Sequence, residues 1–327
     1  MASSPLILAA DIGGTHARFV LARGGAGAPG IVDEATLQVA EYPSVEAAAS
    51  AFLGRTRTSA IDRACLAVAG PIDHRTATLT NAPWRIDADG IAAQLRIPHV
   101  ELCNDFEAAA FGVDSVPEAA RVALQVPAEQ SIDRATRERR LLVGAGTGLG
   151  VAYVIGSAND RRIVAGEGGH VAFAPADDEQ QGLLAWLRPS LGRVSAEHLL
   201  SGAGLVRLYA FASRHRGGVP DDIGTDGAAA VARRYARGEA EAVQAMRLFT
   251  SIFGAVAGDH ALSVLPLGGV YVGGGLAPRF VDAFRDGSFI AAFRAKGAHA
   301  RLMERMPVFV LCDDRLGLRG AALRALR

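Results

Sequence analysis

Lysine is almost absent from this chain of 327 residues: of its 34 basic residues only Lys296 is a lysine, and the rest are arginines. The Walker phosphate loop needs a lysine followed by serine or threonine, and protein kinases need a lysine that pairs with the nucleotide phosphates. Schiff-base chemistry also needs a lysine at the reacting centre. The composition therefore excludes three common lysine-dependent kinds of site at the glycine motifs of this chain.

The chain also has few cysteines and no net charge. Cys65, Cys103 and Cys312 are odd in number and far apart, so we expect reduced thiols in the cytoplasm and neither a disulfide framework nor a metal site. The 34 acidic residues balance the 34 basic ones, which excludes a general attraction to nucleic acid or membranes. We expect no signal peptide, and prolines and glycines in the uncharged stretch 261–278 favour a buried strand and turn over a membrane span.

Half of the residues are apolar, and short apolar runs alternate with helical patterns, which predicts an α/β fold. Strands are predicted at residues 6–11, 18–22, 64–68, 98–102, 141–143, 151–155, 163–164, 269–272 and 308–311, with a strand and loop at 79–84. Helices are predicted at residues 45–53, 89–95, 106–113, 183–187, 196–200, 205–213, 226–237, 239–265 and 315–326.

Two loops rich in glycine and threonine, each between apolar strands, look like copies of one strand–loop–strand motif. They are Ala10-Asp11-Ile12-Gly13-Gly14-Thr15 and Gly144-Ala145-Gly146-Thr147-Gly148-Leu149-Gly150. Glycine lets backbone N–H groups approach an anion closely, and threonine adds a hydroxyl donor. The pair predicts a nucleotide phosphate site in a phosphotransferase or ATPase; the alternative is two tight hairpins that bind nothing.

The second loop does not fit the dinucleotide fingerprint, because its third glycine would fall on Leu149 or Val151. Its glycines recur at every second position, as in an extended chain. Asp11 is either a turn residue or a ligand that holds Mg²⁺ directly or through water. Gly273-Gly274-Gly275 is either a chain reversal or a flat surface for an adenine or ribose.

The candidate acceptor site consists of polar residues outside these loops. Asp105 follows Asn104 at the end of a predicted strand, where it is either a helix N-cap or a base that takes a proton from a hydroxyl. Glu167 and His170 lie in a glycine-rich loop, as an exposed pair, as metal ligands without a third partner, or as partners for a polyol. Glu197 is either the third residue of a capped helix or another polyol partner.

Taken in order, these motifs resemble those of the bacterial glucokinases, members of the sugar kinase/actin/Hsp70-like ATPase superfamily. The matching segments run nearly end to end: residues 11–15, 69–72, 79–81 with Trp84, 104–106, 144–150, 166–170, 194–197 with 200–202, and 273–275 with 278–280. Each motif by itself has low specificity, but the ordered set is highly specific.

The resemblance implies a two-lobed actin-like ATPase (ribonuclease H-like) fold with ATP and D-glucose in the interlobe cleft. It implies a small lobe of residues 1–114 plus 313–327 and a large lobe of residues 115–312. Asp105 would be the catalytic base for the glucose 6-hydroxyl, and Asn104, Glu167, His170 and Glu197 would hold other hydroxyls. The two loops would bind the phosphates, Gly273–Gly275 would border the adenosine, and Mg²⁺ and a cytoplasmic homodimer are expected.

One position departs from the family pattern, and some alternatives stay open. His16 stands where the family usually has asparagine, and its effect on nucleotide contacts is not fixed by the sequence. No cysteine-rich zinc motif follows the Glu167–His170 segment, which favours the zinc-free branch. A sugar-sensing regulator, an ATPase without a sugar substrate and a kinase for another hexose or donor remain alternatives, although related repressors carry a DNA-binding domain ahead of the first loop, where this chain has ten residues.

Overall fold

Strands and helices alternate through the computed structural model, which describes residues 4–24, 29–56, 60–79, 84–127, 137–157, 160–215 and 227–327. The predicted mixed α/β class is confirmed. The chain divides into two compact units. The first unit is Met1–Pro117 with Asp313–Arg327, and the second is Glu118–Cys312.

The secondary-structure elements are numbered in chain order. The strands are β1 (Leu6–Ile12), β2 (His16–Arg23), β3 (Gly30–Gln38), β4 (Arg63–Val68), β5 (Ile72–Asp73), β6 (Thr76–Thr78), β7 (Arg85–Asp87), β8 (His99–Asn104), β9 (Arg121–Gln125), β10 (Arg139–Ala145), β11 (Leu149–Ile155), β12 (Arg162–Gly166), β13 (Val270–Gly273) and β14 (Val308–Leu311). The helices are α1 (Val45–Thr56), α2 (Ala88–Leu95), α3 (Asp105–Gly112), α4 (Asp178–Leu191), α5 (Gly202–His215), α6 (Gly227–Ala236), α7 (Ala240–Val264), α8 (Val281–Arg285), α9 (Ser288–Arg294), α10 (Ala300–Met303) and α11 (Leu316–Ala325).

The main sheets of the two units repeat one topology. In the first unit the order is β3-β2-β1-β4-β8, and in the second it is β12-β11-β10-β13-β14, with β9 added at the edge. In each sheet three consecutive strands pair antiparallel, and two further strands run parallel to the one that begins this set, β1 or β10. The glycine–threonine loops therefore connect corresponding strands, β1 with β2 and β10 with β11.

Strand β1 is buried on both faces, and the period of two along a strand separates its side chains into two cores. Leu8, Ala10 and Ile12 belong to a core shared with α1 and α2. Ile7 and Ala9 belong to a core shared with α11. Asp11 continues the second series, so its side chain lies on the face of the sheet that α11 covers.

Glycines allow α11 to pack closely against α3. A Cβ on Gly112 would lie 2.6 Å from the carbonyl oxygen of Leu316, and a Cβ on Gly320 would overlap the carbonyl of Ala108. These contacts join the last helix of the chain to the helix that begins at Asp105. They also bring the first turn of α11 beside the end of β1, because the Cβ position of Gly317 is 3.5 Å from Asp11 Oδ2.

Most predicted elements are confirmed within a few residues, but the helix predicted at 196–200 is wrong. Only one turn forms there, closed by the N–H of Leu200 on the carbonyl of Ala196, and α5 begins at Gly202. The amides of Ala196 and Glu197 donate instead to the carbonyls of Val171 and Gly169. These tertiary hydrogen bonds replace those that would continue a helix.

Two strands of the main sheets, β3 and β9, were not predicted, nor were the short strands β5, β6 and β7 or the helices α8, α9 and α10. Strand β3 lies at the edge of its sheet, and at least every second side chain in it is exposed. Charged residues such as Asp33 and Glu34 therefore interrupt the apolar run by which a buried strand is recognised. Strand β9 is the edge strand of the second sheet and pairs with β14, and Gln125 is the one buried residue in it. Of the motif at 79–84, residues 80–83 lie outside the described residues, as does residue 226 of the helix predicted at 226–237.

Two of the three cysteines are neighbours in the structure although 38 residues separate them. The Sγ atoms of Cys65 on β4 and Cys103 on β8 lie 3.6 Å apart in the buried core, and both thiols are free. The stretch 261–278 forms the end of α7, a turn and β13, as predicted. None of the helices in the described part of the chain has the length and apolar character needed to cross a bilayer.

Candidate active site

The first glycine–threonine loop is the tip of the β1–β2 hairpin. Ile12 pairs with Ala17, and the N–H of Gly13 donates to the carbonyl of His16 at 3.0 Å. The carbonyl of Thr15 accepts a hydrogen bond from the N–H of Val39. Among the described residues, the amides of Gly14 and Thr15 donate no backbone hydrogen bond, so they are available to a bound anion, together with the threonine hydroxyl.

The second loop is a similar tip between β10 and β11, and Glu197 fixes its position. Ala145 pairs with Leu149, and the N–H of Gly146 donates to the carbonyl of Gly148 at 2.8 Å. Oε2 of Glu197 accepts a hydrogen bond from the N–H of Leu149 at 2.9 Å. A Cβ on Gly148 would lie 2.5 Å from the same oxygen, so the close approach of Glu197 requires glycine at position 148.

The three glycines after β13 lie beside this second loop. Gly274 has φ +82°, and a Cβ there would overlap the backbone of Ala145, so this position needs glycine. The N–H of Gly275 lies 3.8 Å from the Cβ position of Gly146, and the N–H of Leu276 donates to the carbonyl of Ala145. The segment Gly273-Gly274-Gly275 is thus a chain reversal packed against the candidate phosphate loop of the same unit.

Asp105 is the first residue of α3, and Asn104 is the N-cap, so the reading of Asp105 as the cap is wrong. Oδ1 of Asn104 accepts hydrogen bonds from the N–H groups of Phe106 and Glu107, at 2.9 and 3.3 Å. Oδ1 of Asp105 accepts from the N–H of Phe106 at 2.8 Å. Burial raises the pKa of Asp105, and these hydrogen bonds oppose the shift.

Asp11 and Asp105 form a pair of like charges in the first unit. The pKa of Asp11 is raised to about 6. Burial is the main cause, the charge of Asp105 acts in the same direction, and the charge of Arg18 opposes the shift. No hydrogen bond reaches the Asp11 carboxylate from the described residues, and the first turn of α11 passes beside both acids at Gly317. A cation would relieve the repulsion between the two carboxylates.

The structure brings Glu167, His170 and Glu197 together in the second unit. Nε2 of His170 lies 3.8 Å from Oε2 of Glu167 and 3.6 Å from Oε1 of Glu197. These distances are too long for hydrogen bonds, so the three side chains keep polar atoms for an added ligand. The loop is anchored by the N–H of Glu197, which donates to the carbonyl of Gly169, and by Arg193, which donates to the carbonyl of His170.

The described residues contain no group of three or more acids, histidines or cysteines that could hold a metal ion. His16 is exposed at the start of β2, and its Nε2 lies 3.2 Å from Nε2 of Gln38 on β3. This contact gives the residue a partner within its own sheet. Any effect of His16 on a nucleotide stays a prediction.

The predicted site residues fall into two groups, one in each unit. The first hairpin, Asn104 and Asp105 belong to the first unit, and the second hairpin, the three polar residues and the glycine triplet belong to the second. Sequence reasoning missed Gly317 and Arg18, which lie against Asp11. No local pattern marks Gly317, because its neighbour Asp11 is about three hundred residues away in the chain.

Comparison with known proteins gives one consistent result. The family model for glucokinase matches residues 8–327. A glucokinase of Marinobacter nauticus is 36% identical over 96% of this chain and 95% of its own length. A crystal structure of glucokinase from an Antarctic psychrotroph covers 98% of both chains, with a TM-score of 0.88 and 30% identity. A ROK family glucokinase from Streptomyces griseus, in complex with glucose and AMPPNP, covers 98% of this chain and 99% of its own, with a TM-score of 0.64 and 22% identity.

Proposed function

The chain belongs to the glucokinase family, and from this premise we propose that it transfers the γ-phosphoryl group of ATP to the 6-hydroxyl of D-glucose. The products are glucose 6-phosphate and ADP, which places the reaction at the entry to glycolysis. The observation that carries the assignment within this structure is the position of Asp105. It lies at the first turn of α3, beside Asp11 and in the same unit as the first glycine hairpin.

Asp105 has the properties of a general base for a sugar hydroxyl. Burial raises its pKa above that of an exposed aspartate, which makes the carboxylate a stronger proton acceptor. The cap at Asn104 fixes the backbone at this point. Oδ1 of Asn104 is engaged by two amides, and the side chain also hydrogen-bonds the Asp105 carboxylate, so the second N–H of its Nδ2 group would donate to a substrate.

Asp11 fits the role of the Mg²⁺ residue. Its carboxylate is largely buried, has a pKa raised by burial and by Asp105, and accepts no hydrogen bond from the described residues. Mg²⁺ is usually held by one or two carboxylates, the substrate phosphates and waters, which suits this lone group. Asp11 would hold the ion directly or through water, and the ion would neutralise charge on the phosphates.

The remaining residues supply binding and orientation. The amides of Gly14 and Thr15 and those of Thr147 and Gly148 are donors for phosphate oxygens. Glu167, His170 and Glu197 present two carboxylates and an imidazole to the hydroxyls of one sugar. Since Glu197 also holds the N–H of Leu149, the candidate sugar group and the candidate phosphate tip of the second unit are joined through one side chain.

The finer features that the family resemblance implies belong to the same proposal. They are a two-lobed actin-like fold with the active site in the interlobe cleft, a lobe boundary near residues 114 and 312, a homodimer, and a cytoplasmic enzyme. Small-angle scattering with and without glucose tests the two-lobed fold, since closure of the lobes around the substrate reduces the radius of gyration. Sedimentation velocity measures the homodimer.

The proposal is tested by an assay that couples ADP formation to NADH oxidation across a panel of sugars and donors. We expect glucose with ATP to give the highest kcat/KM in the panel. The matched control is 6-deoxyglucose, which keeps the ring hydroxyls and lacks only the acceptor, and which should inhibit competitively without being phosphorylated. ADP formation that no sugar alters would instead favour an ATPase, and a higher kcat/KM with mannose, glucosamine or fructose would reassign the substrate.

Loss of the polar contacts in the second unit should weaken sugar binding more than turnover. We expect Glu167→Gln and His170→Ala to raise the glucose KM by about tenfold each, because each removes one hydrogen bond to the sugar, and to leave kcat within about threefold. Initial rates at varied glucose and saturating ATP measure both quantities. An unchanged glucose KM in both variants would show that these residues do not contact the sugar.

Gly148→Ala tests the connection between the second hairpin and Glu197. The added Cβ would lie 2.5 Å from Oε2 of Glu197, so the carboxylate must move away from the N–H of Leu149. We expect kcat/KM for glucose to fall about tenfold or more, since both hydrogen-bond partners lose their geometry. Gly54→Ala is the control, because nothing lies within 4 Å of its Cβ position on α1. Equal activity of the two variants would contradict the role of Glu197.

A further inference from the structure

A buried histidine, His260 on α7, contacts the loop that carries the candidate sugar residues. It is 8% exposed, and its Nε2 atom is buried without a hydrogen-bond partner of ordinary geometry among the described residues. Nothing in the phosphoryl-transfer chemistry uses this side chain. A buried imidazole nitrogen without a hydrogen-bond partner lowers the stability of the folded state, so native structures usually provide a partner for it.

The imidazole lies directly against Gly168, which stands between Glu167 and His170. A Cβ on Gly168 would be 3.1 Å from Cε1 of His260 and 2.8 Å from Cβ of Val151. The turn therefore rests on two side chains, one from α7 and one from β11. Only glycine at position 168 allows the imidazole to come this close to the backbone of the turn.

A tyrosine hydroxyl lies on the other side of the ring. The hydroxyl of Tyr153 on β11 lies 2.9 Å from Nδ1 of His260. The Tyr153 O–H can donate to Nδ1, and the hydroxyl of Ser263, one turn further along α7, donates to the carbonyl of Asp259 at 3.4 Å. A neutral imidazole that accepts at Nδ1 carries its proton at Nε2, the atom that lacks a partner.

The carbonyl of Gly168 is the candidate acceptor for Nε2–H, since the Gly168 turn lies against Cε1 of the ring. Burial is the main influence on the pKa of His260 and lowers it, whereas the backbone of Gly168 raises it, which a carbonyl acceptor does and an amide donor does not. The Gly168 carbonyl accepts only a long bond, 3.4 Å, from the N–H of Val171. A carbonyl oxygen has two lone pairs, so it has room for a second donor.

We propose that His260 is a positioning residue: through Nε2–H it holds the carbonyl of Gly168 and so fixes the turn that presents Glu167 and His170 to the sugar. Tyr153 orients the imidazole from the other side of the ring. The proposal rests on the proposed function of this loop and adds to it a residue that touches neither substrate. Its effect is on the affinity for the sugar, because the turn carries sugar-binding side chains and no reacting group.

Three substitutions at position 260 separate the hydrogen bond from simple packing. His260→Leu keeps the bulk and removes both nitrogens. His260→Gln places an amide nitrogen at the same number of bonds from Cα as Nε2, and His260→Asn places one only as far as Nδ1. We expect Leu and Asn to raise the glucose KM about tenfold with kcat within twofold and the ATP KM unchanged, and Gln to stay within threefold of the parent protein.

Equal glucose KM values for the Leu and Gln variants, or an equal rise in the ATP KM, would overturn the proposal, since a packing role predicts either result. Should the Leu variant fail to fold, Tyr153→Phe provides the test: it leaves His260 in place and removes only the hydroxyl that orients it. We expect that variant to raise the glucose KM about two- to fivefold. An unchanged KM would contradict the tautomer assignment on which the proposal depends.

Hydrogen exchange distinguishes failure of this proposal from failure of the proposed function. Amide exchange of residues 168–171, measured in the absence of substrates, should be faster in the Leu variant than in the Gln variant whatever the reaction is. An active parent enzyme with equal exchange in both variants would refute the role of His260 alone. An inactive parent enzyme with the expected difference in exchange would refute the function and leave the positioning role in place.

Discussion

Replacement of Asp105 by Asn is expected to lower kcat about 10²- to 10⁴-fold, which is the usual contribution of a general base. The amide keeps the Oδ1 atom that accepts the N–H of Phe106, and Asn104 still caps α3, so the fold should be retained. The glucose KM should change by less than threefold, because the lost interaction is made mainly in the transition state. Initial-rate kinetics and a thermal melt measure the two effects.

Asp178→Asn is the matched control for this substitution. Asp178 is also the first residue of a helix, α4, and follows a side-chain N-cap, Asp177, but it is exposed. Both variants remove one negative charge beside a helix N-terminus, and only the Asp105 variant should lose turnover. Undiminished kcat in Asp105→Asn, or an equal loss in both variants, would contradict the assignment of the base.

Asp11→Asn should abolish most Mg²⁺-dependent turnover, by about 10²-fold or more, and yet make the unliganded protein more stable. The pKa of Asp11 is raised to about 6 from its ordinary value of 3.8, so the folded protein disfavours the ionised carboxylate. This unfavourable contribution is absent well below pH 3.8, grows as the pH rises from about 4 to 6, and is complete above pH 6. Two pKa units correspond to about 3 kcal/mol, and relaxation of the site makes about 1–3 kcal/mol the expected gain.

The stability effect of Asp11→Asn therefore has a specific dependence on pH. Chemical denaturation without metal should show a higher free energy of unfolding for the variant at pH 7.5 and a difference about a third as large at pH 4.5. In the parent protein the apparent affinity for Mg²⁺ should fall by up to tenfold per pH unit below pH 6, because protonation removes the ligand. A variant that is destabilised at pH 7.5, or a Mg²⁺ affinity that does not change between pH 5 and 7, would contradict this role.

The parts of the site that are local in sequence were predicted correctly in form. Glycines at the tips of two hairpins and a helix that begins at residue 105 depend on neighbouring residues, so the pattern of the chain determines them. Even here the sequence left the cap undecided, since Asn104 and Asp105 are both good caps. Two hydrogen bonds from α3 to Asn104 settle the choice and leave Asp105 for a different role.

The parts that depend on tertiary contacts were not predictable from the pattern. The pattern predicts a helix at Glu197. In the structure its amide donates to the carbonyl of Gly169 and its carboxylate accepts from the N–H of Leu149, and both partners lie in other segments. The raised pKa of Asp11 results from burial under α11 and from Asp105, neither of which is near it in the sequence. Cys65 and Cys103 show the same limit, because only the parallel pairing of β4 with β8 brings them together.

The most direct test of the central claim follows the products of the parent enzyme with ³¹P NMR, in a mixture of ATP, Mg²⁺ and D-glucose. A glucose kinase whose acceptor is the 6-hydroxyl predicts glucose 6-phosphate and ADP in equal amounts, and no phosphorylated sugar from 6-deoxyglucose or from the Asp105→Asn variant on the same time scale. Release of inorganic phosphate at a rate independent of glucose, or a phosphoryl group at another hydroxyl, would contradict the account.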